Sequence, residues 1–407
     1  MLRKIKNIAH AIEAETANLV YARGRRKIPT IGVTGTDGKT TTSSLIFHIL
    51  KTAGYNAAMV TTVAAQIGEK TYDTGLHTTT PSPFALQRYI AKARSDGAEY
   101  LVLEVTSHAL DQNRTQGIEF KIGVLTNVTH EHLDYHGTYE KYVKVKSKLF
   151  KRSDISILNI DDGSYKLIKT YIGSKKIFTY SIKNKVADFN PKSVGISFPD
   201  EFNFNYENFM AAISVAEVLG VDKSKIKEAL ATFKFPKGRQ EIIYDKDFRA
   251  IVDFAHTPNS FARVLPILRK TTKKRLIHIF GSAGQRDMSK RPLMGTKSSE
   301  NADIIILTAE DPRNERVEDI NSQIKLGMAG FVTSDFNGLD KVTDKKALFE
   351  INDRKKAIEF AVKIAEPGDT IVVTGKGHEQ SMNMGHGEVP WSDQDALQKA
   401  IEARTKS

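Results

Sequence analysis

A short segment near the amino terminus has the composition of a phosphate-binding loop. Residues 34–42 read TGTDGKTTT and follow the apolar tripeptide 31–33. The two glycines allow the backbone to curl, so that its N–H groups and the first turn of the next helix can face a phosphate. The lysine supplies a positive charge, and a threonine hydroxyl can bind Mg²⁺. The residues of the predicted phosphate site are Gly35, Thr36, Asp37, Gly38, Lys39, Thr40 and Thr41.

This loop differs from the strict phosphate-loop pattern at one position. The strict pattern has a glycine five residues before Gly38, where this chain has Val33. The remaining GTDGKT sequence lies between an apolar strand pattern and a helical pattern. It therefore favours a nucleotide-phosphate site over a plain glycine-rich turn.

Strand-like and helical patterns alternate along the rest of the chain. The apolar runs predict strands at 30–34, 100–105, 122–127, 155–159, 250–254, 275–280, 303–308 and 370–374. This alternation is typical of parallel sheets covered by helices, whose ligands bind at the carboxyl ends of the strands. Polar residues follow most of these strands, so we expect them to meet at one edge of each sheet. A turn-rich segment at 233–239 predicts the boundary between two α/β domains.

The composition is that of an ordinary globular protein and excludes several kinds of site. The chain has 407 residues, 40% of them hydrophobic and 27% charged, and this length is enough for two or three domains. No apolar run is long enough to predict a transmembrane segment. The absence of cysteine excludes disulfides, thiolate metal sites and a cysteine nucleophile, and it is compatible with the reducing cytoplasm.

The net charge of +12 needs a separate interpretation. The lysines are dispersed and no aromatic nucleic-acid signature accompanies them, so we expect no nucleic-acid partner. One basic cluster, RGRRK at 23–27, follows an amphipathic helical pattern. The apolar residues of that pattern are Leu2, Ile5, Ile8, Ile12 and Leu19. Such a helix can rest on a membrane surface, although it more often packs against its own domain.

Ten short motifs, in one order along the chain, resemble those of the Mur ligase family. They are TGTDGKTTT (34–42), TTP (79–81), LEVTSHAL (103–110), HLDYHG (132–137), FNYEN (204–208), KGRQE (237–241), VDFAHTP (252–258), GQRDMSKRPLMG (284–295), EDPRNE (310–315) and GKGHE (375–379). The resemblance covers about residues 31–395. Within the family it is closest to the MurE type, which adds the third residue of the peptidoglycan stem peptide.

The resemblance implies a particular domain order. A helical extension (1–29) would precede a central P-loop-type ATPase domain with a mainly parallel sheet (30–235). A Rossmann-like α/β domain (236–407) would follow and bind the incoming amino acid. The fold class expected for the whole chain is therefore α/β.

The same resemblance implies an ATP-dependent ligase. In this family an acceptor carboxylate attacks the γ-phosphate of ATP, and an amine then displaces phosphate from the acyl phosphate to form an amide. Cations and metal ions must offset the charge as a carboxylate approaches a triphosphate. The implied catalytic residues are Lys39, Glu104, His132 and Lys146.

Two Mg²⁺ ions and a modified lysine follow from the same resemblance. Thr40 and Glu104 would bind one ion. His132 and Lys146 would bind the other, after CO₂ has carboxylated the Lys146 amine. Only a neutral amine reacts with CO₂, so we expect burial and nearby positive charge to lower the pKa of Lys146.

Further positions are implied for the nucleotide and for a muramoyl-peptide acceptor. The nucleotide positions are Asn205, Asn208, Arg239, Asp253 and His256. The acceptor positions are Thr79, Thr80, Thr106 and Arg114, and Thr106 replaces the serine that is usual there.

The amino-acid pocket departs from the family pattern at one residue. Family members that use meso-diaminopimelate carry DNPR, whose arginine binds the distal carboxylate. This chain reads EDPR at 310–313, so Arg313 is present and Asp311 replaces the asparagine. The extra carboxylate could favour the ammonium of lysine or another diamine, or it could weaken an acidic end. Both diaminopimelate and lysine therefore remain open. The other implied contacts are Arg286, Gly375 and Glu379.

The amino-terminal part also departs from the family. Three-domain members have a separate domain that grips the uridine nucleotide, whereas this chain reaches its phosphate loop by residue 35. Uridine would then be recognised differently, or the acceptor is not UDP-linked. A folylpolyglutamate- or cyanophycin-type ligase is the alternative, against which HLDYHG, SKRPLMG and EDPR argue. A catalytically silent nucleotide-binding scaffold is a third, disfavoured by the four implied catalytic residues. We expect a cytoplasmic monomer.

Overall fold

The computed structural model describes residues 2–22, 27–72, 74, 80–129, 131, 133–173, 176–196, 205–333 and 346–406. The predicted site residues Thr79 and His132 lie outside these ranges. The chain divides into two compact units, Met1–Lys234 and Phe235–Ser407. Among the described helices, none has the length and apolar character needed to cross a membrane.

An eight-stranded sheet forms the centre of the first unit. Its strands are β1 (Thr30–Thr34), β2 (Ala57–Val60), β3 (Ala65–Ile67), β4 (Lys70–Tyr72), β5 (Tyr100–Glu104), β6 (Phe120–Leu125), β7 (Ser153–Asn159) and β8 (Lys176–Tyr180). Their order is β4-β3-β2-β5-β1-β6-β7-β8. All neighbours from β2 to β8 pair in parallel, and β3 and β4 add an antiparallel edge. The carboxyl ends of β1, β5 and β6 therefore lie side by side.

Helices pack against this sheet and bury an apolar core. They are α1 (Leu2–Ala22), α2 (Lys39–Thr52), α3 (Pro83–Ser95), α4 (Ser107–Asp111), α5 (Leu133–His136), α6 (Tyr139–Lys151), α7 (Tyr165–Ile172), α8 (Pro191–Val194), α9 (Tyr206–Leu219) and α10 (Lys223–Thr232). Local signals fix several helix starts. The Thr138 hydroxyl accepts a hydrogen bond from Lys141 N and begins α6, the helix that carries Lys146.

A seven-stranded sheet forms the centre of the second unit. Its strands are β9 (Glu241–Asp245), β10 (Arg249–Asp253), β11 (Leu276–Phe280), β12 (Ile304–Leu307), β13 (Val332–Thr333), β14 (Ala347–Glu350) and β15 (Thr370–Thr374). The order is β13-β14-β12-β11-β15-β10-β9, and only β9 pairs antiparallel. A separate hairpin consists of β16 (Ser381–Asn383) and β17 (Glu388–Pro390). The helices are α11 (Pro258–Thr271), α12 (Lys290–Ser299), α13 (Val317–Lys325), α14 (Arg354–Ile364) and α15 (Asp393–Lys406).

Alternate residues of the second sheet face two separate apolar clusters. Ile304 and Ile306 belong to one cluster, whereas Ile305 and Leu307 belong to the other. Successive side chains of a strand point to opposite faces, so a strand covered on both faces must be apolar throughout. This explains the uninterrupted apolar runs in the sequence.

The predicted α/β fold is confirmed, with a mainly parallel first sheet and a mixed second sheet. Each of the eight predicted strands is present, with ends that differ by up to two residues. Nine described strands were not predicted from the sequence. Five of them have only two or three residues, too few to show a period: β3, β4, β13, β16 and β17. The other four have four or five residues: β2, β8, β9 and β14.

The amino-terminal helix turns two alanines toward the domain and two of its large apolar residues toward solvent. On α1, Ala14 and Ala17 are buried, whereas Ile12 and Leu19 are 60% and 66% exposed. The expectation that the apolar stripe packs against the domain is therefore wrong for Ile12 and Leu19. The small alanines permit close approach to α3, against which α1 lies.

Candidate functional site

The phosphate loop joins β1 to α2 and requires glycine at two positions. Gly38 precedes α2 with a φ of 79°, and a Cβ there would lie 2.1 Å from Asn208 Oδ1. A Cβ on Gly35 would lie 1.8 Å from Thr126 Oγ1. No larger residue fits either position without moving the surrounding chain. The tight curl predicted from the sequence is thus imposed by α9 on one side and by the end of β6 on the other.

Asn127, at the end of β6, holds the loop in shape. Its backbone carbonyl accepts a hydrogen bond from Thr36 N (2.8 Å), and its side-chain oxygen accepts one from Asp37 N (2.9 Å). Thr126 Oγ1 donates to the Asp37 carbonyl at 2.7 Å. Both residues lie at the end of the strand predicted at 122–127 and precede HLDYHG.

Lys39, Thr40 and Glu104 lie together at the carboxyl edge of the first sheet. Thr40 Oγ1 donates to Glu104 Oε2 at 2.9 Å, and Thr62 N donates to the same oxygen at 3.1 Å. Glu104 is only 2% exposed. Lys39 Nζ donates to the Thr36 carbonyl at 2.7 Å, so its charge lies over the loop. A buried carboxylate beside a threonine hydroxyl and a phosphate loop is a donor set that suits Mg²⁺.

Lys146 reaches the same loop from α6. The residue is 1% exposed, and its Nζ donates to the Gly35 carbonyl at 2.7 Å. Burial lowers the pKa of Lys146 well below its ordinary value, and the charge of Lys39 lowers it further. The acids Glu131, Asp37 and Asp162 oppose this shift only in part. A neutral amine is the form of lysine that can react with CO₂.

The metal-binding set is incomplete in the part of the chain that the structure describes. No group of three or more His, Asp or Glu residues there could hold an ion by itself. His132, the fourth predicted ligand, lies outside the described ranges. Thr40 and Glu104 nevertheless fit an ion that also takes oxygen ligands from a nucleotide.

Asn205 and Asn208 lie beside the phosphate loop in the first unit. Asn208, on α9, accepts from Thr42 Oγ1 at 3.4 Å and donates to Asn205 Oδ1 at 2.7 Å. Both asparagines are at least nine-tenths buried. The structure therefore places Asn208 against Gly38, with Asn205 as its hydrogen-bond partner.

The described acceptor positions converge near the end of β5. The Thr80 and Thr106 hydroxyls are 3.2 Å apart, and Arg114 Nη1 donates to the Thr80 carbonyl at 3.0 Å. Thr106 also caps α4, because its hydroxyl accepts from Ala109 N. Burial lowers the pKa of Arg114, which nonetheless remains a cation at any working pH. The site thus offers hydroxyls and one guanidinium to an anionic ligand.

A network of side-chain hydrogen bonds that was not predicted from the sequence borders this region. Asp111 Oδ2 accepts from Tyr135 OH (3.0 Å) and from Asn7 Nδ2 (3.2 Å) on α1. Gln112 Nε2 donates to the same tyrosine hydroxyl at 3.3 Å. The signal that could have revealed Gln112 is its place in the segment that also carries Thr106 and Arg114.

In the second unit, Asp253 ends β10 and organises the turn that follows. Its two carboxylate oxygens accept from Gln240 N (2.8 Å) and Ala255 N (2.7 Å). The Arg239 guanidinium lies 4.2 Å from the centre of the Phe254 ring. His256 Nδ1 lies 2.7 Å from the Phe254 carbonyl oxygen. The three predicted nucleotide positions Arg239, Asp253 and His256 are therefore neighbours.

The EDPR segment lies at the carboxyl edge of the second sheet. Asp311 and Arg313 both have positive φ values, 45° and 53°, which a non-glycine residue adopts only where surrounding contacts fix it. Arg313 N donates to the Asn383 carbonyl (3.1 Å), and Arg313 Nη1 donates to the Gly284 carbonyl (3.1 Å). The first contact ties the segment to the β16–β17 hairpin, and the second ties it to the loop after β11. Arg286, by contrast, is exposed on the loop after β11.

The carboxylate of Asp311 is already paired. Its Oδ1 accepts from Lys376 Nζ at 2.7 Å and from Asn383 N at 2.9 Å. Lys376 has no exposed side-chain surface and also pairs with Glu379. Burial lowers the pKa of Lys376, but the two carboxylates outweigh it and raise the pKa. The sequence analysis missed Lys376, although it lies in the GKGHE motif.

Glu310 places a buried carboxyl group at the same edge of the second sheet. It is 6% exposed, and its Oε2 has no hydrogen-bond partner among the described residues. Gly375 has a φ of 113°, and a Cβ there would lie 2.9 Å from Glu310 Cγ. Burial raises the pKa of Glu310 to about 7, against the charges of Lys290, Lys376 and Arg354. The second unit thus holds a carboxyl that titrates near neutrality beside the predicted amino-acid pocket.

Two family models match the chain. The Mur ligase middle domain matches residues 33–218, and the Mur ligase glutamate ligase domain matches residues 238–377.

Curated relatives match almost the whole chain. A UDP-N-acetylmuramyl-tripeptide synthetase of Borreliella afzelii is 35% identical over 95% of this chain and 79% of its own length. A UDP-N-acetylmuramoyl-L-alanyl-D-glutamate–2,6-diaminopimelate ligase of Aquifex aeolicus is 35% identical over 95% of this chain and 80% of its own.

Solved structures are similar as well. A UDP-N-acetylmuramoyl-L-alanyl-D-glutamate–2,6-diaminopimelate ligase has a TM-score of 0.64 at 30% identity, covering 99% of this chain and 84% of that one. FolC of E. coli in complex with ADP has a TM-score of 0.67 at 16% identity, covering 98% and 95%. The second likeness concerns the fold alone.

Proposed function

We propose a function from one premise: this chain belongs to the Mur ligase family. The function is ATP-dependent formation of an amide bond between a muramoyl-dipeptide carboxylate and a diamino acid, meso-diaminopimelate, in peptidoglycan synthesis. The observation that carries the proposal is the convergence of Lys39, Glu104 and a deprotonatable Lys146 on one phosphate loop.

ATP is the proposed nucleotide. The phosphates would lie along residues 35–41, where backbone N–H groups, the start of α2 and Lys39 all attract negative charge. The buried amides of Asn205 and Asn208 border that loop, and their donors and acceptors can read a nucleobase edge. In the second unit, Asp253 can accept from ribose hydroxyls, beside Arg239 and His256. The proposal is supported by relatives whose names describe peptide ligases.

Mg²⁺ is the proposed metal. Thr40 and Glu104 would hold one ion, and His132 with carboxylated Lys146 would hold a second. When bound, such ions supply positive charge that stabilises the phosphate oxygens during transfer. Carboxylation of Lys146 forms a bond between its neutral Nζ and the carbon of CO₂ and releases one proton. The buried site and the lowered pKa of Lys146 support this proposal.

The proposed reaction has two bond-forming steps. The acceptor carboxylate attacks the γ-phosphorus, the bond to the β–γ bridging oxygen breaks, and ADP leaves. The amine of the amino acid then attacks the acyl carbon, the carbon–oxygen bond breaks, and phosphate leaves with the amine proton lost. Lys39 neutralises charge on the transferred group, and Arg114, Thr79, Thr80 and Thr106 orient the acceptor.

The contacts of Asp311 favour diaminopimelate over lysine. An uncommitted carboxylate at this position would favour the ammonium of lysine, but Asp311 is paired with Lys376. Arg313 then remains the charged group of the EDPR segment that can bind a distal carboxylate bidentately. Arg286, Gly375 and Glu379 are the further proposed contacts. A cytoplasmic location and a monomeric state remain predictions.

The test is a matrix of acceptors and amines. ADP release and product mass would be measured with UDP-linked and non-UDP muramoyl-dipeptides, each with diaminopimelate, lysine or no amine. We expect a joined product with diaminopimelate, and a loss of about 10²–10³-fold in turnover for Lys39→Ala, because it removes the charge over the phosphates. ATP hydrolysis without a joined product from any pair, or full activity in Lys39→Ala, would contradict the proposal.

A further inference from the structure

The outer side of α1 presents large apolar side chains that nothing in the described chain covers. Ile12, Leu19 and Val20 are 60%, 66% and 63% exposed, whereas Ala14 and Ala17 face inward. In a helix, residues seven apart share a face, as Ile12 and Leu19 do. Isolated exposed hydrophobics are ordinary on proteins, but a row along one helix marks an interaction surface. We call Ile12 and Leu19, together with Val20 at their flank, the outer stripe.

Polar contacts fix the inner side of α1, so the helix cannot rotate about its axis to bury the outer stripe. Asn7 Nδ2 donates to the Asp111 carbonyl (3.0 Å) and side chain (3.2 Å). Arg94 Nη1 of α3 donates to the Tyr21 carbonyl at 3.2 Å. A Cβ on Gly117 would lie 2.3 Å from Asn18 Nδ2, so this helix face packs closely. The helix is therefore held at both ends with its outer stripe turned away from the core.

Basic residues flank the outer stripe in sequence, and others line a cleft at its carboxyl end. The segment 1–27 has seven lysines and arginines but only two acids, Glu13 and Glu15, and the basic residues cluster at its two ends. A cleft of about 810 Å³ lies beside Val20 and Tyr21. Its charged lining residues are Lys70, Arg88, Lys92, Glu69 and Asp96. The surroundings therefore carry net positive charge.

We propose that α1 docks this protein on the surface of an anionic lipid bilayer. The outer stripe would enter the boundary between headgroups and acyl chains, and the basic residues at both ends would lie among anionic headgroups. Apolar burial and electrostatic attraction add in this mode of binding, which makes it sensitive to salt and to lipid charge. The net charge of +12 acts in the same direction over a longer range.

A second copy of the chain is the less suitable occupant. A two-fold interface brings the same surface patch of both copies together. Because both ends of α1 are basic, parallel or antiparallel packing of two such helices would place like charges side by side. An anionic bilayer would instead place negative charges against these basic residues.

Vesicle sedimentation with the full chain tests the proposal. The protein would be mixed with vesicles of phosphatidylcholine alone or with phosphatidylglycerol added. We expect binding to the anionic vesicles only, lost in high salt, and about a tenfold or larger loss of affinity in Ile12→Gln/Leu19→Gln. Glutamine has a high helix propensity, and because both side chains are exposed, the substitutions should not disturb folding.

The control variant removes two apolar residues elsewhere that are more exposed than Ile12 and Leu19. Val186 and Leu326 are 83% and 80% exposed, and Val186→Gln/Leu326→Gln should bind anionic vesicles like the unmodified chain. The proposal is overturned if the unmodified chain ignores anionic vesicles, if it binds neutral ones equally, or if both double variants behave alike. A dimer in analytical ultracentrifugation that only Ile12→Gln/Leu19→Gln dissociates would also overturn it. None of these readouts depends on ligase activity.

Discussion

Replacing Glu310 by glutamine should stabilise the second unit above pH 7 and destabilise it slightly in acid. Glu310 is buried, its Oε2 has no partner among the described residues, and burial raises its pKa to about 7 from an ordinary value of 4.5. Glutamine has nearly the same shape but carries no charge at any pH. The variant therefore separates the cost of ionisation from the effects of packing.

The magnitude follows from the shift in pKa. Below pH 4.5 the folded and unfolded chains both hold the proton, so Glu310 imposes no pH-dependent penalty. As pH rises, the unfolded chain loses its proton first, and the folded chain keeps it until about pH 7. At about 1.4 kcal/mol per pH unit, the folded state has lost about 3 kcal/mol of stability above pH 7. Glutamine removes this loss, but leaving its amide unpartnered costs on the order of 1 kcal/mol at every pH. The net gain expected at pH 8 is about 2 kcal/mol.

Urea unfolding followed by tryptophan fluorescence measures this difference. Trp391 is the single tryptophan of the chain and belongs to the second unit, where its Nε1 donates to Asp393 Oδ1 at 2.8 Å. Stability would be measured from pH 4 to pH 8.5 in the unmodified chain, in Glu310→Gln and in the exposed control Glu402→Gln. The expected curves for Glu310→Gln and the unmodified chain cross between pH 4.5 and 7. Parallel curves would refute the raised pKa, whatever their separation.

Three further outcomes are expected. Lys146→Ala should lose turnover but regain part of it with added acetate, since a free carboxylate can replace the carboxylated lysine; an unchanged turnover would contradict its role. Arg313→Ala should selectively lower kcat/KM for diaminopimelate, by an amount equivalent to about 2–4 kcal/mol. An equal loss with lysine would mean that the arginine has a structural role. Against the opposite contribution of Glu310, the pKa of His278, which burial lowers to about 3, should by itself give a slope of about 2 kcal/mol of lost stability between pH 7 and 5, because the unfolded chain takes up a proton. His278→Gln should remove that slope in urea unfolding.

The sheets could be predicted because their central strands are buried on both faces. Strands such as β11 and β12 are apolar throughout, and that signal survives without knowledge of their partners. The orientation of α1 could not be predicted in the same way. Its apolar stripe suggests an inward face, yet Ile12 and Leu19 are exposed, whereas Asn7, Ala14 and Ala17 face the rest of the unit. Hydrophobic periodicity identifies the helix but does not determine which of its faces packs against the domain.

The tight curl of the glycine-rich loop could be predicted from sequence because the residues that form it are consecutive. Gly35 to Thr41 form one local unit, whereas the groups that give the site its chemistry come from distant parts of the chain. Asn127 shapes the loop from 90 residues away, and Lys146 reaches Gly35 across 111 residues. The pairing of Asp311 could not be predicted from the sequence either. The fold brings Lys376 Nζ within 2.7 Å of the Asp311 carboxylate and so neutralises a charge whose partner the sequence does not reveal. A substitution in a motif therefore changes specificity only if its new group is not paired elsewhere. Asp311→Asn would test this, because it should leave the preference for diaminopimelate over lysine unchanged while Lys376 keeps Glu379 as its partner. A reversed preference would mean that the Asp311 carboxylate acts on the amino acid directly.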